Sequence, residues 1–321
     1  MVNRQPSMRL QLILAFTAVY LIWGSTYLGI RYAVATLPPF LMAGSRFLIA
    51  GVILFSLARS RGIALPTRAN WVAGAIVGLF LLVGGNGVVV LAEENVPSAL
   101  TALLISMTPI WMTLIDWLRP HGVRPTIPVV VGLTLGFAGV ALLIGPNIFT
   151  GSSGVDPWHM LLVPLASLSW AFGSIYARTA KMPTNLLMGT AIEMLCGGAI
   201  LLALGLVRSE QSHFDVQAVS GASWIAFVYL ITFGSLVAFT AYVWLLQNTT
   251  LARASTYAYV NPVVAVFLGW ALAHEQLTPL TLVAAAIIIG AVTIITTFRT
   301  QPAPAPVAAD VIPATQVGVA E

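Results

Sequence analysis

Long apolar runs separated by short polar breaks are the dominant pattern of the chain. They fall at roughly 10–30, 39–58, 70–92, 97–118 and 126–145, then 158–177, 185–206, 222–247, 251–273 and 278–298. None alternates with period two, so they read as helices, and each is close to the ~20 residues a helix needs to cross a bilayer. Backbone groups in lipid must be satisfied internally, which leaves helices as the spanning form for such runs. The pattern therefore predicts an all-α integral membrane protein of ten transmembrane helices. A polar break, 146–157, separates two sets of five. The segment from Gln301 onward, PAPAPVAADVIPA, is rich in Pro and Ala and reads as a disordered tail. Ala33-Val34-Ala35 has the look of a signal-peptidase site, but the run before it is longer than an ordinary signal core.

The runs also repeat. Ser98–Trp117 carries Pro109 in its middle, and Leu251–Trp270, 153 residues later, carries Pro262. An offset of 147 superposes Leu21–Leu54 on Leu168–Leu201 with eight identities in 34 positions, among them Trp23/Trp170, Arg31/Arg178 and Gly51/Gly198. The His213 region supplies the extra residues that the larger offset requires. Five spans per half is an odd number, so the second half enters the membrane inverted, a design in which substrate binds near the midplane where the repeats meet. The predicted units are a cytoplasmic N-terminus at 1–9, a first repeat at 10–145, a periplasmic linker at 146–157, a second repeat at 158–298 and a cytoplasmic tail at 299–321.

Composition agrees with a membrane chain: 59% of the 321 residues are hydrophobic and 7% charged, with a mean hydropathy of +0.94, against about 25% charged residues in soluble domains. The net charge of +4 is a matter of topology rather than of nucleic-acid binding. Eleven of the 14 Lys and Arg fall in segments that are cytoplasmic if the N-terminus is inside, Arg31 and Arg208 fall outside, and Arg46 lies within a span. Positive charge collects on the cytoplasmic side, so both termini are predicted cytoplasmic, in the inner (plasma) membrane. Cys196 is the single cysteine, which excludes a disulfide framework and a multi-cysteine metal site.

Trp23-Gly24-Ser25, Pro39, Arg46-Phe47, the stretch Ala92–Trp111 (AEENVPSALTALLISMTPIW) and Tyr257–Thr278 (YAYVNPVVAVFLGWALAHEQLT) resemble the EamA family of the drug/metabolite transporter superfamily over residues 10–298. The Glu93/Val96-Pro97-Ser98/Pro109/Trp111 pattern is most similar to the YedA-like exporters within it. The resemblance implies a cavity enclosed by helices 1–4 and 6–9, helices 5 and 10 at the periphery, and alternating access, usually as efflux. One departure stands out: the family often ends helix 4 with an acidic residue, as Glu275 follows helix 9, and Gly122 stands there instead.

Charges inside a membrane are costly and collect at functional positions. Arg46 and Glu193, at equivalent repeat positions, are the candidates to flank the cavity, either paired with each other or holding the carboxylate and ammonium of a zwitterion; a structural salt bridge is the plain alternative. Glu193 is also the proton-coupling candidate, since burial raises a carboxyl toward the pKa that coupling needs. Pro109 and Pro262 are candidate hinges, each removing a backbone donor. Asn86, Thr108 and Asn261 are polar candidates for substrate contact. Trp23, Trp111, Trp170 and Tyr259 are aromatic candidates, in a cavity suited to amphipathic or cationic groups. Tyr27, Tyr176, Tyr242 and Tyr257 fit an interfacial belt equally well. Glu93 and Glu94 read as solvated loop carboxylates. Asp116 has Arg119 as a local partner, and Glu275 suits a cap, an interface or a gate. Gly132, Gly136 and Gly139 read as a packing stripe.

The expected function is secondary transport of a small metabolite, an amino acid or similar amphipathic compound, most naturally as export. Multidrug or organic-cation efflux and uptake are the alternatives. No cofactor, metal or nucleic acid is expected, and the oligomeric state is left open. There is no GxxxxGK[ST] for nucleotide. His121, His159, His213 and His274 sit in loops or at span ends without a metal-binding spacing, so a membrane enzyme is the remote alternative.

Overall fold

The computed structural model describes residues 7–119, 124–150 and 157–298. Among these the fold is all-helical. Eight helices are long and apolar enough to cross a membrane: α1 (Met8–Val34), α2 (Pro39–Ser60), α3 (Arg68–Ala92), α4 (Ser98–Leu118), α6 (Pro157–Ala177), α7 (Leu186–Val207), α8 (Gly221–Asn248) and α10 (Pro279–Phe298). Between them lie α5 (Ile127–Thr150) and α9, which runs as Leu251–Ala254 and Tyr257–Ala273. α5 continues into the segment read as a polar break. Gly122, the site of the departure at the end of helix 4, lies outside the described residues, as does the tail.

α2 and α7 form the closest pair and cross antiparallel at glycines. A Cβ on Gly44 would lie 2.6 Å from the Leu202 backbone nitrogen, and one on Gly198 would lie 2.9 Å from that of Leu48. α3 runs parallel to α7 on its other side, with Gly78 against the Glu193 carbonyl at 2.6 Å by the same measure. Only absent side chains allow backbones this close. α5 and α10 pack on each other through the predicted glycine stripe: Gly132 meets Ile295, Gly136 meets Ile110 of α4, and Gly139 meets Ile288.

Three helices are locally widened to π geometry, at Ala18–Trp23 in α1, Leu79–Gly87 in α3 and Leu230–Phe239 in α8. π turns displace carbonyls from the normal ladder and often mark functional sites. Here two carbonyls in such turns are taken by side chains of neighbouring helices: Ser169 Oγ of α6 donates to Phe80 O at 2.8 Å, and Trp23 Nε1 of α1 donates to Gly234 O at 3.4 Å.

The two proline helices break differently from expectation. α4 turns at Ser106-Met107, and Pro109 then occupies the first turn of the second segment, where a missing N–H costs nothing. α9 turns at Ser255-Thr256, while Pro262 lies inside the continuous helix Tyr257–Ala273. The prolines match in sequence, but the breaks do not.

Both α2 and α4 begin at the same end of the bundle, and both are capped there from far along the chain. Glu210, just past α7, accepts from Phe40 N at 3.4 Å and Leu41 N at 2.9 Å. Glu275, just past α9, accepts from Ser98 N at 3.0 Å, Ser98 Oγ at 2.7 Å and Ala99 N at 3.0 Å. Each carboxylate satisfies free N–H groups and complements the positive end of a helix dipole.

Candidate functional site

The three π segments converge on one central cavity. α1 lines it with Trp23, Tyr27 and Ile30, α3 with Gly85, Asn86 and Val89, and α8 with Gly234 and Phe239; Arg46 of α2, Ile105 of α4, Trp170 of α6 and Tyr257 of α9 complete it. π geometry turns a helix face by one residue, which brings Trp23, Asn86 and Phe239 inward from helices whose remaining faces are apolar.

Arg46 is the charged group of this cavity. It is 3% exposed, its Nη2 donates to Asn86 Oδ1 at 2.8 Å, and its guanidinium lies 4.2 Å from the centre of the Phe47 ring. Its Nε has no partner. Asn86 thus orients the guanidinium while part of its donor capacity stays unused.

The floor is aromatic. Trp23 and Trp170, matched across the repeat, meet edge to face with centroids 5.4 Å apart. Tyr242 lies 4.8 Å from Trp23 and 5.4 Å from Trp170, and Tyr257 stands at 5.4 Å from Trp23. Trp170 Nε1 donates to the Tyr242 hydroxyl at 3.1 Å, and Ser174 Oγ shares a hydrogen bond with the same hydroxyl at 2.7 Å. Tyr242 and Tyr257 are therefore buried parts of the site's frame, not members of an interfacial belt. Their alternation with Trp23 and Trp170 was the available signal, and it shows only once four helices are brought together.

The other candidates divide. Thr108 is buried; its hydroxyl donates to the Ile105 carbonyl at 2.7 Å and lies against Tyr257. Trp111 points away from the cavity, donating to Ser167 Oγ at 3.0 Å and packing on Phe137 at 5.5 Å. Tyr259 packs against the cluster that holds Tyr242 and Tyr257 together with Val19 and Leu245, and it does not line the cavity. Asn261 is 2% exposed with both side-chain polar atoms unpartnered. It follows Tyr257 by one helical turn and shares its face.

Glu193 does not join Arg46. The two occur in different cavities and form no ion pair. Glu193 lines a second pocket with Arg178, Thr184 and Gln247, beside the connection from α6 to α7. The reason is geometric. Each residue lies seven positions into its helix, roughly 10 Å at 1.5 Å per residue, and α2 and α7 run antiparallel from opposite ends. Equal positions therefore lie at opposite depths. Glu193 is 2% exposed, and its Oε2 has no partner.

Glu93 departs most from expectation. It is 2% exposed, and neither carboxylate oxygen has a hydrogen-bond partner. Arg31 of α1, Pro97 and the end of α9 at Leu272–His274 close a third pocket around it. Burial, then the nearby Glu275 carboxylate, pushes its pKa well above the ordinary carboxylate value, against the opposing pull of Arg31 and Arg46. Glu94 beside it is exposed, and partial desolvation of its carboxyl shifts it upward as well. Glu275 itself is the cap of α4 and carries Arg31 Nε at 3.5 Å. Asp116 pairs with Arg119 as expected.

Known proteins share this pattern. The model of the EamA-like transporter family matches residues 10–145 and 157–297. An uncharacterized inner membrane transporter of Escherichia coli strain K12, YedA, is 38% identical over 301 residues, covering 92% of this chain and 95% of the relative. The uncharacterized transporter YvbV of Bacillus subtilis is 27% identical over 85% of this chain and 87% of its own length. A solved crystal structure aligns with a TM-score of 0.64 at 22% identity, over 92% of this chain and all of that one, which speaks to the fold alone. With an aromatic cavity inside an all-helical membrane bundle, and a family match over both halves, the chain belongs to the EamA-like transporter family and is a membrane transporter of the drug/metabolite type.

Proposed function

We infer that the protein is a secondary transporter that moves a small carboxylate-bearing metabolite, an amino acid or close analogue, across the inner membrane by alternating access. The observation that carries this reading is Arg46: a buried guanidinium held by Asn86, with Nε unpartnered, in a cavity otherwise aromatic and apolar. A carboxylate on Arg46 and an apolar group against Trp23, Trp170 and Tyr257 would satisfy both parts of the lining. The same guanidinium disfavours an organic cation, which the aromatic faces alone would accept.

Alternating access is supported by the relation between the halves. Gly51 meets Leu195 and Gly198 meets Leu48; with an offset of 147 these are one contact made twice, as a two-fold axis requires. Trp23 touching its own counterpart Trp170 puts both near that axis. Ten spans as two inverted halves, the first ending with α5 and the second beginning with α6, is the proposed organisation, and the distribution of basic residues favours cytoplasmic termini. Separate pockets toward the two ends of the bundle, one at Glu193 and one at Glu93, suit entry from either side. Export is the direction in keeping with the resemblance to YedA-like exporters. Glu193, in the pocket on the cytoplasmic side, is the residue assigned to carry a coupling proton; Pro262, which leaves Ala258 O without its usual donor, is the better of the two hinges.

The test is flux in liposomes containing the purified protein, with labelled amino acids and organic cations, with and without a pH gradient. Saturable amino-acid flux that a pH gradient accelerates, and that Glu193→Gln uncouples, is expected. Flux of cations only would overturn the substrate class, and unchanged pH sensitivity in Glu193→Gln would overturn the coupling role.

A further inference from the structure

A guanidinium and a carboxyl group lie buried near the same end of the bundle, and each lacks a full set of partners. Arg46 faces the central cavity with a free Nε. Glu93 sits one helical turn beyond Val89, a cavity-lining residue of α3, with both oxygens unpartnered. The groups that feel its charge lie on both sides of it: Tyr27 and Arg46, which line the cavity, Arg31, which lines the pocket beyond, and Glu275, which pairs with Arg31. Yet Arg46 and Glu93 form no ion pair, and among the described residues no cation lies within 4.0 Å of Glu93. Arg31 is committed to Glu275 instead.

Buried polar groups are ordinarily satisfied, and those that are not call for a function. Direct pairing of Arg46 with Glu93 would be the simplest way to satisfy both, and the fold holds them apart. What fits between a separated guanidinium and carboxylate is a molecule carrying the complementary charges a short distance apart.

We propose that Glu93 is a specificity-determining residue that receives the ammonium group of a zwitterionic substrate whose carboxylate rests on Arg46 and Asn86. The proposal rests on the assignment of the Arg46 cavity as the substrate site. It moves the cationic contact from Glu193, which lies at the opposite depth, to a residue that sequence placed in a solvated loop. Glu93 lines the pocket beyond the central cavity, one helical turn from cavity-lining Val89, so an ammonium passing between the two would meet it. Free amine thereby becomes a requirement that Arg46 alone would not impose.

The test is equilibrium binding to the full-length protein in detergent, by calorimetry, with L-leucine and L-phenylalanine against 4-methylpentanoate and 3-phenylpropanoate, which lack only the amine. Wild type is expected to prefer the amino acids by about tenfold or more, as a charged hydrogen bond implies. Glu93→Gln should bring the ratio close to one while carboxylate binding survives, and Glu93→Asp should restore part of the preference. Arg46→Gln should weaken both classes together. If Glu93→Gln keeps the full preference, or wild type shows none, Glu93 does not read the amine, while loss of both classes in Arg46→Gln would still support the Arg46 site. If wild type binds neither class, or Arg46→Gln binds both as well as wild type, the Arg46 site itself is wrong and Glu93's role falls with it. Elution profiles and melting temperatures establish that each variant is folded; should Glu93→Gln fail to fold, Glu93→Asp and the wild-type ratio decide.

Discussion

At the scale of single residues, the buried carboxyl of Glu93 has a consequence that is independent of transport. Its proton is held above the ordinary value of 4.5 in the native protein, first by burial and then by Glu275, with Arg31 and Arg46 opposing. The unfolded chain releases that proton near 4.5. Between the two values the native state binds more protons, so raising the pH favours unfolding. The melting temperature of the detergent-solubilised protein should therefore fall as the pH rises above about 5, and Glu93→Gln should flatten that fall. Equal slopes in the two proteins would mean that Glu93 ionises freely in the native state. Sequence could single out Arg46, since a lone charge in an apolar run is conspicuous. Glu93 was not legible in the same way. It adjoins Glu94 and Asn95 in a polar break, and what buries it comes from Arg31 and from Leu272–His274, far along the chain.

Among elements, the antiparallel crossing of α2 and α7 is the contact on which the bundle depends. Gly44→Ala would put a Cβ within 2.6 Å of the Leu202 nitrogen. Backbone cannot yield as a side chain can, so a loss of about 1–3 kcal/mol is expected from overpacking. Gly290→Ala, in α10, meets nothing within 4 Å and should leave the melting temperature unchanged or slightly higher, because alanine is the better helix former. Equal effects of the two would show that the crossing is looser than described. Glu275 makes a second prediction at this scale. Because it ties the end of α9 to the first turn of α4, Glu275→Ala should loosen that end of the bundle. Cysteines introduced at Asn95 and His274, which line the pocket there, should react faster with a membrane-impermeant maleimide than in the parent; unchanged rates would mean that the cap does not hold that end shut. The hydrophobic pattern made the helices themselves legible to within a few residues. The π segments were not, since carbonyls there are taken by side chains of neighbouring helices, and the turn at Ser255-Thr256 has no proline or glycine to announce it.

For the whole molecule, the same internal repeat that drew attention to Arg46 and Glu193 also separates them. Read only as a matching of positions, it paired them; the antiparallel α2–α7 crossing puts equal positions at opposite depths, as the proposed inverted relation between the halves would. The contact between Trp23 and Trp170 is consistent with that proposed relation, since positions near a two-fold axis meet their own counterparts. On the proposed reading, one central cavity with a pocket toward each end is the geometry from which a rocking motion would expose a fixed site to either side. Arg46 is the group in that cavity with unspent hydrogen-bonding capacity and a full charge. The most direct measurement is therefore amino-acid flux into liposomes containing wild-type protein or Arg46→Gln at equal density. Saturable flux in wild type, reduced about tenfold or more in Arg46→Gln as loss of a charged hydrogen bond predicts, is the expected result. Equal flux in both proteins, or none in wild type, would contradict it.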